Sequence, residues 1–378
     1  MISSIFFVLL CGLPFSYLLF NQVDIWHANG HWFQLGILAL IACSLIEKPR
    51  HVHTVNKPLA ITTLWFGLLT AYYWYESIVK TKNYAILLFF PFFNFLCFVL
   101  FYKFSCEYLW EKEIKNILKL LSYSVLGVLF YCVLQVLKLD QFFTALDTRA
   151  VDELVGTIGN TAHLSGYLAI CQPLFFKKSR FNILCLILLW VILLMCKSFS
   201  GIFTAICVIL FWLFMTKQYK KIWFGLSGLG LVTIPLVINH TFFTQFLSDS
   251  GRFKVWKIVF DVFKKRPITG YGLGIVNALK INISSSTWRH LHQEYYQIAI
   301  ETGIIGLVLV LWCIWEYFKL VNSNRNELTL KLASIFFGFC VLALFTFNCH
   351  LWLLASMGMM GYSFIYALKG EHDGSYHI

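Results

Sequence analysis

Residues 182–216 read NILCLILLWVILLMCKSFSGIFTAICVILFWLFMT, two apolar runs parted only by Lys197-Ser-Phe-Ser-Gly201. Neither run alternates polar with apolar residues as a half-buried strand does, and neither keeps a polar stripe as a surface helix does. In hydrocarbon, a segment of this kind satisfies its backbone donors and acceptors only by closing them on itself as a helix. The short basic turn sends the second run back along the first. The stretch therefore predicts a transmembrane helical hairpin.

The rest of the chain has the same character. It is 59% hydrophobic and 13% charged, with a mean hydropathy of +0.73, whereas soluble domains are about one-half apolar and one-quarter charged. An outer-membrane barrel would show alternation in segments of ~10 residues, and none is seen. Apolar runs able to cross ~30 Å of hydrocarbon fall at 3–20, 31–46, 58–75, 84–102, 117–137, 161–176, 182–196, 201–216, 222–238, 295–318, 329–348 and 351–368. The expected fold is an all-α polytopic bundle of about twelve spans, with 1–378 forming a single integral membrane domain. The first run lacks a basic leader and a clear small-residue cleavage site, so it reads as a retained anchor. Twelve cysteines sit mostly inside the runs with no C-x-x-C spacing, which reads as small buried apolar residues and calls for no metal or cofactor.

A net charge of +12 would suggest nucleic acid in a soluble protein. Here orientation accounts for most of it. One set of short loops carries Lys48, Arg50 and Lys57; Lys103, Lys112, Lys115 and Lys119; Lys177, Lys178 and Arg180; Lys217, Lys220 and Lys221; and Lys319, Arg325 and Lys331. The alternate set is neutral or acidic, with Asp24 in one loop and Asp140, Asp147, Asp152 and Glu153 in another. The positive-inside rule puts the basic set and both termini in the cytoplasm. The long loop at 239–294 then lies outside, although it carries eight cationic residues from Arg252 to Arg289. Long loops translocate regardless of charge. Such a surface suits anionic headgroups or a site for a polyanion.

Within that loop, Arg252 to Lys265 predicts an interfacial amphipathic helix, with Phe253, Trp256, Phe260 and Phe263 recurring at spacings of three and four, Val255, Val259 and Val262 beside them, and Lys254, Lys257, Asp261, Lys264 and Lys265 on much of the remainder. Ser250 or Asp249 can cap it and Pro267 ends it. Arg252 falls in the first turn, unfavourable for the helix dipole unless an anion binds there; pairing with Asp249 or facing water are the alternatives. Gly270-x-Gly272-x-Gly274 follows no strand, so it reads as a turn back to the bundle rather than a phosphate loop. Arg289-His290-Leu-His292-Gln-Glu294 leads into the next span, with His292 and Tyr296 expected one helical turn apart. A neutral imidazole there is a candidate general base; a His290–His292 metal pair and a plain interfacial histidine are the competing readings. Gly156 to His163 reads as a structured turn in which Asn160 either caps the sixth span or meets a ligand. Lys197 is either a functional cation or a snorkelling anchor.

The string Ser250-Gly251-Arg252, then Trp256, Pro267, Gly270-x-Gly272-x-Gly274, His292 and Glu301-Thr-Gly303-Ile-Ile-Gly306 resembles the O-antigen ligase and polymerase superfamily of bacterial inner membranes. Members share this span count and a long periplasmic loop before the last three spans. The resemblance implies a metal-independent, inverting glycosyltransferase of the GT-C class. Its donor would be a glycan on undecaprenyl pyrophosphate, and its acceptor lipid A-core or a growing glycan. By position, Arg252 would engage the pyrophosphate and His292 would activate the acceptor hydroxyl. Ser250, Lys257, Arg289, Tyr296 and Asn160 complete the expected substrate-binding set. Lys197 stands where the family tends to have an arginine, and Gln293 where it often has asparagine. Ligase and polymerase differ in acceptor, and the sequence leans only slightly to ligase. A flippase or transporter for lipid-linked sugars would predict paired repeats and broken helices; a scaffold would tolerate loss of Arg252 and His292.

Overall fold

The computed structural model describes residues 1–18, 25–50, 56–80, 85–140, 153–218, 252–279, 281–283, 286–288 and 290–372. Its helices are α1 (Ile2–Gly12), α2 (Ile25–Ser44), α3 (Lys57–Lys80), α4 (Ala85–Tyr108), α5 (Glu111–Val136), α6 (Thr161–Cys171), α7 (Arg180–Met195), α8 (Phe199–Met215), α9 (Arg252–Phe263), α10 (Ile275–Leu279), α11 (Glu294–Ser323), α12 (Glu327–Leu342) and α13 (Trp352–His372). Each expected span except the ninth, 222–238, overlaps one of these helices, although the α-helices in 3–20, 161–176 and 329–348 end early, at Gly12, Cys171 and Leu342; the ninth lies outside the described residues. Three of them, Phe90–Tyr108 of α4, α5 and α11, are long and apolar enough to cross a membrane. The protein is thus a helical membrane protein. Inside the long loop of this all-helical fold, Ile281–Ile283 (β1) and Ser286–Trp288 (β2) form a short antiparallel pair.

Helix starts follow their caps. Asn160 Oδ1 accepts from the N–H groups of Ala162 (2.9 Å) and His163 (3.1 Å) at α6. Ser179 caps α7 and Asn326 caps α12 in the same way. Lys138, Lys197 and Lys217 each follow a helix end with positive φ (51–57°), where a cation also suits the carbonyl end of the dipole. The core forms where α12 lies on α13, α8 and α6, and α13 on α4. Fully buried Tyr167, Phe101, Phe6 and Phe364 fill it.

The two ends of the bundle differ. At one, Met1 pairs with Glu47 (2.9 Å), Arg50 with Glu113 (2.6 Å), and Lys331 with Glu327 (2.9 Å). These belong to the basic short loops. The long loop sits at the other, where Arg266 reaches Glu76 near the far end of α3 (3.7 Å).

Candidate functional site

Two contacts hold the long loop on the bundle. The first is made by α9. Val255 and Val259 are fully buried with Val276, Leu291 and Ile300, with Trp256 and Phe263 packed alongside. Of the expected apolar side, Val255 and Val259 form the buried stripe, whereas Phe260 is 49% exposed. Trp256 Nε1 donates to the Leu291 carbonyl (2.8 Å), and the Tyr296 hydroxyl donates to the Trp256 carbonyl (3.0 Å). Tyr296 thus anchors α9.

The second contact joins the two glycine motifs. Gly303 breaks α11 with φ 72° and ψ −179°. A Cβ there would lie 1.9 Å from the Ile268 carbonyl oxygen, and one on Gly270 2.5 Å from that of Ile300. Only glycine fits at both places. The break frees backbone groups that must find partners. Tyr271 and Gly272 N–H donate to the Ile300 and Glu301 carbonyls (3.0 and 2.8 Å), Ile304 N–H donates to Pro267 (2.9 Å), and Trp65 Nε1 donates to Thr302 (3.1 Å). The glycine alternation does return the chain to the bundle, and Gly303 is its receptor.

Together these contacts place Arg252 near His292. Burial first, and the Arg252 guanidinium second, push the His292 imidazole down to about 4, so at neutral pH it is uncharged. His292 has φ 54°. Unlike the three lysines with positive φ, it precedes a helix rather than ending one. Gln293 caps α11 by accepting from Tyr296 N–H, which places His292 outside the helix. The expected one-turn spacing of His292 and Tyr296 along a helix face is therefore incorrect.

His292 meets Phe347 edge-on (4.7 Å, 88°), and His290 stacks on the same ring (4.4 Å, 7°). His163 approaches it at 6.0 Å, and His290 lies 4.8 Å from His350. Phe347 takes up both rings of the His290–His292 pair, and among the described residues no three His, Cys, Asp or Glu side chains gather as metal ligands would.

Beneath this shelf is a buried polar network that sequence reasoning missed. Glu294 is 2% exposed. Its Oε2 accepts from Cys349 N–H (3.0 Å), and its Oε1 lies 3.3 Å from His350 Nε2. The carboxylate holds the His350 imidazole up at about 9 against the opposing effect of burial. His350 is therefore a cation at neutral pH while His292 is not. Gln297 Nε2 donates to Glu301 (3.1 Å) and its Oε1 accepts from Leu291 N–H (3.1 Å). A cleft of about 20 Å³, lined by Asn29, His163, His350 and Trp352, adjoins the network and has room for one water molecule. The available signal was a carboxylate and a histidine at the ends of apolar runs, where ionisable groups are costly unless paired.

The remaining expected site residues divide as follows. Asn160 spends its side-chain oxygen on capping α6. Lys257 is exposed on α9, and Lys197 is exposed at the end of α7. Ser250 and Arg289 lie outside the described residues.

Residues 184–311 match the O-antigen ligase family model. The matched segment runs from α7 into α11 and contains Lys197, Arg252, His292 and both glycine motifs. A Rickettsia conorii protein named as a polysaccharide ligase is 28% identical over 167 residues, covering 38% of this chain and 40% of that protein. A Rickettsia felis protein of the same designation is 25% identical over 167 residues, covering 38% and 41%. A third, from Rickettsia typhi, is 23% identical over 171 residues, covering 39% and 42%. The chain thus spans about two-fifths of the length of the curated relatives it matches. The matched residues include Arg252 and His292, whereas His163, Phe347 and His350 lie outside them.

Proposed function

We propose that this protein transfers a glycan from undecaprenyl pyrophosphate to an acceptor hydroxyl, as an O-antigen ligase does, at the periplasmic face of a bacterial inner membrane. The observation that carries this reading is the meeting of Arg252 with an uncharged His292 on the loop's end of the bundle. The location of the basic short loops at the other end, together with the positive-inside rule, supports the periplasmic assignment. The O-antigen ligase match and the polysaccharide-ligase relatives support glycan transfer as the reaction class.

In this mechanism His292 takes the proton from the acceptor hydroxyl as its oxygen attacks the anomeric carbon. The bond from that carbon to the phosphate oxygen breaks, and the diphosphate leaves on its polyprenol with inversion. Arg252, in the first turn of α9, meets the charge developing on the leaving oxygen. The same contact tunes the base. An anion on Arg252 offsets the cationic field that depresses His292, so donor binding raises its basicity when a base is needed.

Deletion followed by electrophoresis of surface glycans tests the assignment. Loss of surface polymer with accumulation on the lipid carrier is expected. Capping by single repeat units would identify a polymerase instead. Normal glycans would exclude glycosyl transfer.

A further inference from the structure

The outer flank of α3 carries a groove that the transfer site does not use. Leu68, Leu69, Tyr72, Tyr73, Arg266 and Thr269 line about 440 Å³ open to the surroundings. The groove is graded along the helix. Leu68 is 58% exposed and Tyr72 56% exposed, and Arg266 lies at the end nearest Glu76. Tyr72, Trp74 and Tyr75 are all exposed, the aromatic signature of a membrane–water boundary at that level. An apolar trough leading up to hydroxyls and a guanidinium matches the order of groups along a membrane lipid, from acyl chain to phosphate.

Arg266 is held in place for such a contact. Its guanidinium lies over the rings of Tyr271 (5.4 Å) and Tyr73 (5.9 Å), with Glu76 at 3.7 Å on one edge. The Tyr73 hydroxyl donates to Gly270 O, tying the site to the glycine turn. The planar fork can meet a phosphate with two parallel hydrogen bonds. We infer that this groove seats one anionic glycerophospholipid of the leaflet on the loop's side, with its phosphodiester on Arg266 and one acyl chain along Leu68 and Leu69.

One observation favours this occupant over the polyprenyl diphosphate. Glu76 holds one edge of the Arg266 guanidinium at 3.7 Å, which leaves a single edge to meet one phosphodiester. The lipid would clamp the turn that docks into the α11 break.

The test is native mass spectrometry of the delipidated, detergent-purified full chain titrated with phosphatidylglycerol. One bound molecule per chain is expected, tighter than phosphatidylcholine, with about tenfold weaker binding in Arg266→Gln and in Leu68→Trp, which fills the trough. Lys264→Gln, on an exposed residue paired with Asp261, should bind as the unaltered protein does. Unchanged binding in both Arg266→Gln and Leu68→Trp overturns the inference. Equal retention of phosphatidylcholine, the sign of an adventitious lipid only, does so too, as does stoichiometric displacement by a polyprenyl diphosphate. None of these readings depends on transfer activity.

Discussion

The two ends of this bundle use the same kinds of charged residue in opposite ways. At the end with the basic short loops, Arg50 and Glu113 pair at 2.6 Å with side chains 37% and 24% exposed, and Lys115–Glu111 and Lys319–Glu316 pair along helix surfaces. Water solvates those charges, and each pair adds little to stability. At the long-loop end, Glu294, His350 and His292 are withdrawn around Phe347. There a charge is expensive unless matched, and the protein resolves this differently for its two histidines. His350 keeps its proton by pairing with Glu294; His292, facing Arg252, gives its proton up. Exposed charge at one end stays solvated, and buried charge at the other sets protonation.

Four substitutions probe that contrast. His292→Ala should lower glycan transfer by ~10²–10⁴-fold, the usual contribution of a positioned base, while the protein remains at normal level in the membrane. Transfer at the unaltered rate would remove His292 from the chemistry. Gly303→Ala should cost more than ~3 kcal/mol, since it adds a Cβ clash to a strained backbone, and is read as lost thermal stability in detergent together with proteolysis of the 252–290 loop. A stable protein with a protected loop would mean that the α11 break does not dock the glycine turn.

Glu294→Gln should cost toward the lower end of the ~3–5 kcal/mol typical of a broken buried pair, because His350 remains a quarter exposed. The sign of its pH dependence is specific. His350 is raised in the folded protein, so its contribution is complete below its ordinary imidazole range and is lost as pH rises through about 9. Thermal melts should show that alkaline loss in the unaltered protein and a flatter profile in Glu294→Gln. Arg50→Ala should change stability by only ~0–1 kcal/mol. A cost as large as that of Glu294→Gln would erase the distinction between the ends.

The sequence disclosed what depends on local pattern. Apolar runs located the helices, Asn160 announced a cap, and the Arg252 and His292 strings marked the region that the O-antigen ligase match covers. Features built from distant residues stayed hidden. Nothing near Glu294 in the sequence points to His350, because the pair forms only when the α12–α13 turn folds over the start of α11. Phe347 looked like one apolar residue among many, and its role comes from the three histidines around it. The reason for the two glycine motifs emerged only when one was seen to fill the gap left by the other.

The pH dependence of kcat/KM tests the central claim most directly, because it reports ionisations of the free enzyme. Arg252 disfavours the charged imidazole, so removing its charge must raise the His292 pKa and move the acid limb to higher pH. Burial is the larger cause and remains, so the limb should travel only part of the way from about 4 toward the ordinary value near ~6.5. The account predicts an acid limb close to pH 4 in the unaltered protein and a higher one in Arg252→Gln. An acid limb that stays in place when the arginine is replaced would contradict it.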